Sequence, residues 1–138
     1  MKIELATKQY VKQIVSFFEE YLDESNEAIT GREFFCPFGV KAAVQRKQVI
    51  IVLENEKIVA ALRFYPRKRD NIVSIYQFAI DENNRWKDLL KKMLIKTGYK
   101  TFEVICPLDS VFNEYYKKTN WTLKTKNEEY NYWNLVFE

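Results

Sequence analysis

Apolar residues recur along this chain with two spacings, and the switches between them outline its elements. Residues 2–6 alternate as a short strand does. From Thr7 onward Val11, Ile14, Val15, Phe18 and Leu22 fall at intervals of one, three and four, forming one stripe of a helix that Thr7 can cap. Residues 23–31 are polar and read as a loop, a candidate lid. The aromatic patch Phe34, Phe35 and Phe38 precedes a short helix over 40–46. The period then changes to two. Residues 49–53 and 58–65 are β-rich runs split by Glu54-Asn55-Glu56-Lys57, a link of hairpin length without glycine. A third run, 72–80, follows the turn Pro66-Arg67-Lys68-Arg69-Asp70-Asn71. Three strands with short links predict an antiparallel meander. The third is almost continuously apolar, which predicts a central strand covered on both faces.

Asn83 or Asn84 can cap the next helix. Its buried stripe is Trp86, Leu89, Leu90, Met93 and Leu94, its solvent side carries Lys87, Lys91, Lys92 and Lys96, and Gly98 ends it. A strand over 101–106 follows. Strand, helix and strand at this spacing predict a βαβ crossover, with the two strands parallel and the helix over one face. Pro107 stops the strand, and Asp109 or Ser110 caps a fourth helix carrying Val111, Phe112, Tyr115 and Tyr116. Two last strands, 122–126 and 130–137, are joined by Asn127-Glu128-Glu129. The sum is an α/β (α+β) fold: a mixed, mostly antiparallel sheet with one parallel βαβ crossover and helices on both faces, expected to be a single domain over residues 1–138.

Composition narrows the chemistry. With 47% hydrophobic and 16% aromatic residues, 138 residues suffice for one sizeable core, and no shift in composition marks a second unit. The longest uncharged run, 71–80, is about half a membrane span, and the N-terminus lacks a signal-like apolar run, so a soluble cytoplasmic protein is expected. Cys36 and Cys106 stand far apart, each before a proline, and read as reduced, buried thiols. There is no histidine, so His-based triads and His-ligated metals are excluded; no metal is expected, and base work falls to a carboxylate, a tyrosine or water. The net charge of +3 is mild for a nucleic-acid binder. The basic turn at Arg67, Lys68 and Arg69 reads as solvated, with RNA contact the sharper alternative.

Two local signatures carry a resemblance. Arg85-Trp86-Lys87-Asp88-Leu89-Leu90, followed by Met93-Leu94, resembles the acyl-CoA pyrophosphate loop of the GNAT N-acetyltransferase superfamily, Arg/Gln-x-x-Gly-x-Gly/Ala. Asp109-x-x-Phe112-x-x-Tyr115-Tyr116-Lys117-Lys118-Thr119-Asn120-Trp121 resembles that family's Asn-x-x-Ala-x-x-Leu/Phe-Tyr-x-x-x-Gly-Phe. The order of elements over nearly the whole chain is also similar to GNAT proteins.

The resemblance implies an N-acyltransferase that moves an acetyl group from acetyl-CoA, as co-substrate, to a primary amine on a small molecule or peptide. By the same resemblance, the main chain of Phe78, Ala79 and Ile80 would pair with the pantetheine arm. Amides of Arg85, Trp86, Lys87, Asp88, Leu89 and Leu90 would face the pyrophosphate at a helix N-terminus, where donors are unpaired and the dipole favours an anion. Tyr116 would protonate the departing thiolate. For the base, water, Glu54, Asp81 or a tyrosine remain open.

The residues also admit plainer roles. Tyr115 and Tyr116 fit as packing positions, Trp86 as core instead of an adenine platform, and Arg85 as a surface cation. Asp88 and Leu90 replace the small residues of the loop. A like charge at ~4 Å in an effective dielectric of ~20 costs about 4 kcal/mol, which Arg85, Lys87 and the helix lysines counter. These departures leave a second reading: a catalytically silent domain of this fold, binding another anionic ligand, RNA or a protein partner. Short, charged edge strands fit a monomer or a homodimer.

Overall fold

Strand β1 (Lys2–Leu5) leads through a 3-10 turn (Lys8–Tyr10) into α1 (Val11–Tyr21), and α2 (Pro37–Gln45) precedes the meander β2 (Val49–Glu54), β3 (Lys57–Pro66) and β4 (Val73–Ile80). A second 3-10 turn (Glu82–Asn84) leads to α3 (Leu89–Thr97) and β5 (Thr101–Pro107). The chain ends with α4 (Phe112–Lys118), β6 (Thr122–Lys126) and β7 (Tyr130–Val136). This computed structural model describes residues 1–21, 37–85 and 87–138. The expected lid over 23–31, Leu22, Phe34, Phe35, Cys36 and Trp86 lie outside them.

The seven strands of the described residues join one sheet in the order β1-β2-β3-β4-β5-β7-β6, so β4 is central, as its apolar run predicts. Every pairing is antiparallel except β4 with β5, the βαβ crossover. Alternation sends β2 side chains to two cores. Ile50 and Val52 join the cluster under α3 and α4, where Leu89, Leu90, Met93, Leu94, Phe112 and Tyr116 pack. Val49, Ile51 and Leu53 join Ile14, Phe17, Phe18, Val40 and Val44 from α1 and α2 on the other face. No helix among the described residues is long and apolar enough to cross a membrane.

Local chemistry corrects three expectations. The β2–β3 link is a two-residue turn, not four: Glu54 pairs with Lys57, and Asn55 and Glu56 take φ of 51° and 66°. A turn with both central residues at positive φ matches strand twist, and here non-glycine residues accept that strain. Thr7 makes no side-chain cap; the chain enters α1 through the 3-10 turn instead. The helix expected to start at Asn83 or Asn84 starts at Leu89. Asp81 accepts hydrogen bonds from the backbone N and the side-chain Nδ2 of Asn84, at 3.0 and 2.7 Å, and so closes a separate turn first. Gly98, at φ +81°, ends α3 as expected.

Candidate active site

The site begins where two parallel strands part. β4 and β5 hold register for three residues, from Val73 opposite Phe102 to Ile75 opposite Val104, and then lose it. At that level the β3–β4 register slips between Arg63 and Phe64, leaving Tyr76 as an extra residue in β4. Such a bulge bends and twists its strand. Beyond it, Phe78, Ala79 and Ile80 still pair with Leu62, Ala61 and Ala60 on the β3 side, while no strand of the described residues pairs with them on the β5 side. A wedge with main-chain donors and acceptors on its wall results. Above it α3 packs over β1 to β3 and α4 over β6, so the two helices stand on either side of the opening.

The loop from β4 to α3 forms the rim. Amides of Arg85, Lys87 and Leu89 meet the carbonyls of Glu82, Asn84 and Lys87, at 3.5, 3.0 and 2.7 Å. Among the described residues, the donors of the first turn of α3 left to an outside anion therefore begin after Leu89, at Leu90, since a helix cannot satisfy its own first amides. Asp88 occupies the N-cap position of α3 without making a side-chain cap. Its carboxylate instead accepts a hydrogen bond from the Tyr115 hydroxyl at 2.7 Å. Burial pushes the Tyr115 phenol well above its ordinary value, and the hydrogen bond to Asp88 and that residue's charge push it further.

Leu89 and Leu90 turn into the core, Leu90 with 1% exposure, so the bulk of Leu90 lies away from the outer surface of the helix tip. Lys87 is exposed beside them. Arg85 lies with its guanidinium 5.8 Å from the Phe112 ring centre. Among the described residues its buried Nε has no hydrogen-bond partner and no carboxylate forms an ion pair with it.

Tyr116 is 3% exposed. Its ring meets Tyr115, Trp121 and Trp133 at 5.6, 5.1 and 6.1 Å. One turn earlier, Phe112 packs edge-on against Phe78 at 6.3 Å, tying α4 to the wall of the wedge. Ser110 accepts the Phe112 amide at 3.2 Å and starts the helix. Asn120 takes φ of 70°, a conformation asparagine tolerates at a helix end.

Sequence reasoning missed Asn113. Its Nδ2 donates to the carbonyls of Pro107, Leu108 and Ser110, and its Oδ1 accepts from Asn131 and the Trp133 indole. It thereby latches the β5–α4 loop to β7. A lone polar residue two places before the tyrosine pair gave no periodic signal.

Glu103 also escaped notice. It pairs with Arg67 at 3.1 Å, and Arg67 reaches Asp70 at 3.3 Å as well, so one cation of the basic turn is tied into the sheet while Lys68 and Arg69 are exposed. Among the described residues no group of three or more histidine, cysteine, aspartate or glutamate side chains could hold a metal.

Solved structures share this architecture. PaiA N-acetyltransferase from Thermoplasma acidophilum, in complex with coenzyme A, superposes with a TM-score of 0.81 over 99% of this chain and 98% of its own, at 11% identity. The chain has the GNAT fold. YncA from Salmonella typhimurium, a putative acetyltransferase with its cofactor acetyl-CoA, gives a TM-score of 0.71 at 13% identity, over 100% of this chain and 94% of its own. A ribosomal-protein-alanine N-acetyltransferase from Brucella melitensis gives 0.73 at 8% identity, over 99% and 100%. No family sequence model and no curated protein matches the chain. The fold likeness therefore stands at 8–13% sequence identity to these three structures.

Proposed function

We propose that this GNAT-fold chain, working as a single domain, is an N-acyltransferase that transfers an acetyl group from acetyl-CoA to a primary amine. The observation that carries the reading is the wedge between β4 and β5 beneath a helix tip whose neighbouring cation, Arg85, has no anionic partner among the described residues. The pantetheine arm pairs with the main chain of Phe78, Ala79 and Ile80 as an added strand would. The diphosphate sits over the first turn of α3, where the dipole and Arg85 favour negative charge. Structures of this fold hold coenzyme A and acetyl-CoA, which supports the same cargo here.

With the cofactor on the α3/α4 face, the amine enters from the face of α1 and α2. Its nitrogen lone pair attacks the thioester carbonyl carbon, a tetrahedral intermediate forms, and the carbon–sulfur bond breaks. The Tyr116 phenol gives its proton to the departing thiolate and regains one from the amine nitrogen through solvent. Tyr115 is the weaker donor, because its proton is held by burial and by Asp88.

Isothermal titration with acetyl-CoA, joined to a thiol-release assay over a panel of primary amines, tests this. Micromolar binding that Arg85→Gln weakens about tenfold, with amine-dependent thiol release, is the expected result. Absence of binding at millimolar acetyl-CoA refutes it.

A further inference from the structure

Gln77 stands at the start of the wedge, immediately after the bulge, on the sheet face opposite α3 and α4. It is 2% exposed, and among the described residues neither its Oε1 nor its Nε2 has a hydrogen-bond partner. Buried amides are almost always paired, because the desolvation penalty otherwise stands uncompensated. Its direct cross-strand neighbour is Arg63, on the same face. Burial draws the Arg63 guanidinium below its ordinary basicity, with the Arg46 cation acting in the same sense and Tyr76 opposing. Tyr65 and Tyr76 stack beside this pair with ring centres 5.7 Å apart and planes within 3°.

A cation and an unsatisfied carboxamide, side by side against an aromatic wall, are complementary to a carboxylate. The guanidinium and Nε2 both donate, and a carboxylate accepts from both. The remaining Oε1 accepts from an ammonium or amine group on the same small molecule. We propose that the acceptor is an amine that also carries a carboxylate, which Arg63 and Gln77 bind while its amino group reaches into the wedge. This rests on the acyltransferase reading for the fate of the amine; the carboxylate site itself stands on Gln77 and Arg63.

The test separates the two. 15N-labelled protein without acetyl-CoA is titrated with glycine, 4-aminobutyrate and 6-aminohexanoate, and in parallel with methylamine, n-butylamine and n-hexylamine. The Gln77 side-chain amide signal is assigned from its loss in Gln77→Leu. At least one amino acid shifts that signal saturably, and its carboxylate-free counterpart does not. In the acetylation assay, Gln77→Leu and Arg63→Gln raise KM for that amino acid at least tenfold and change kcat less than twofold.

Equal shifts by acids and simple amines, no shift by any probe, or an unchanged KM in Gln77→Leu overturns the proposal. The wild-type titration decides even where a variant fails to fold, because the Gln77 side-chain amide is then assigned by triple-resonance spectra of 13C,15N-labelled wild-type protein. A carboxylate-dependent shift in a protein that does not bind acetyl-CoA keeps this site and removes the acyltransferase reading.

Discussion

Replacing Asp88 by Asn removes one negative charge at the tip of α3 and keeps an oxygen that can accept the Tyr115 hydroxyl, now 2.7 Å away. The hydrogen bond anchors the wild-type carboxylate near the proposed diphosphate position. Asp88 is exposed, so a water-like dielectric applies, and one unit charge at ~4 Å costs about 1 kcal/mol instead of the ~4 of a half-buried pair. A diphosphate over the first turn lies somewhat farther but carries more charge, which keeps the net near ~1 kcal/mol, or about fivefold in affinity. Titration calorimetry with coenzyme A at low salt is therefore expected to show Asp88→Asn binding about fivefold tighter than wild type. At ~0.5 M salt the screening length falls to about 4 Å and the gain shrinks toward nothing. If Asp88→Asn binds no tighter at low salt, or if its gain survives high salt, the diphosphate does not sit over this helix tip.

Tyr116→Phe is expected to lower kcat about a hundredfold with KM for acetyl-CoA little changed, read in the thiol-release assay; an unchanged kcat assigns the ring to packing alone. Leu90→Ala creates a core cavity and costs about 2–5 kcal/mol in urea denaturation without tightening coenzyme A binding, because Leu90 faces inward; tighter binding would show that its bulk obstructs the site. Asn113→Ala strands the Trp133 indole and the Pro107, Leu108 and Ser110 carbonyls, for a loss of about 2–3 kcal/mol by the same measurement, against less than ~0.5 if solvent replaces the latch.

Tyr115 sets an alkaline dependence. Its folded phenol titrates above the unfolded one, so the folded state holds the extra proton and stability is lost as pH rises past about 10. Tyr115→Phe flattens that decline in urea melts between pH 9 and 11.5, and a wild-type slope identical to the variant's would place the loss elsewhere.

Periodicity along the chain was sufficient for the number, order and type of the described strands and α-helices and for the central place of β4, but not for the two 3-10 turns. Burial on one or both faces of a strand writes itself directly into the spacing of apolar residues, and near-continuous apolarity has few explanations other than cover on both sides. The Arg85 loop and the Tyr116 helix could be placed from residue types at fixed intervals. Partners distant in sequence could not be. Nothing near Asp88 announces that Tyr115, 27 positions away, takes its carboxylate, and nothing near Asn113 shows the loop carbonyls and indole it joins.

The true start of α3 was likewise hidden, because Asp81 and Asn84 form a local turn that competes with helix initiation and uses the same residue types. Above all, the parting of β4 from β5 depends on one extra residue, Tyr76, relative to a partner strand, and register is a relation between strands. The chain by itself fixed which faces are apolar and in what order. Tertiary pairing decided where the sheet opens and that Arg85 meets no carboxylate among the described residues there, since hydrogen-bond and charge partners are set by distance in space and not along the backbone.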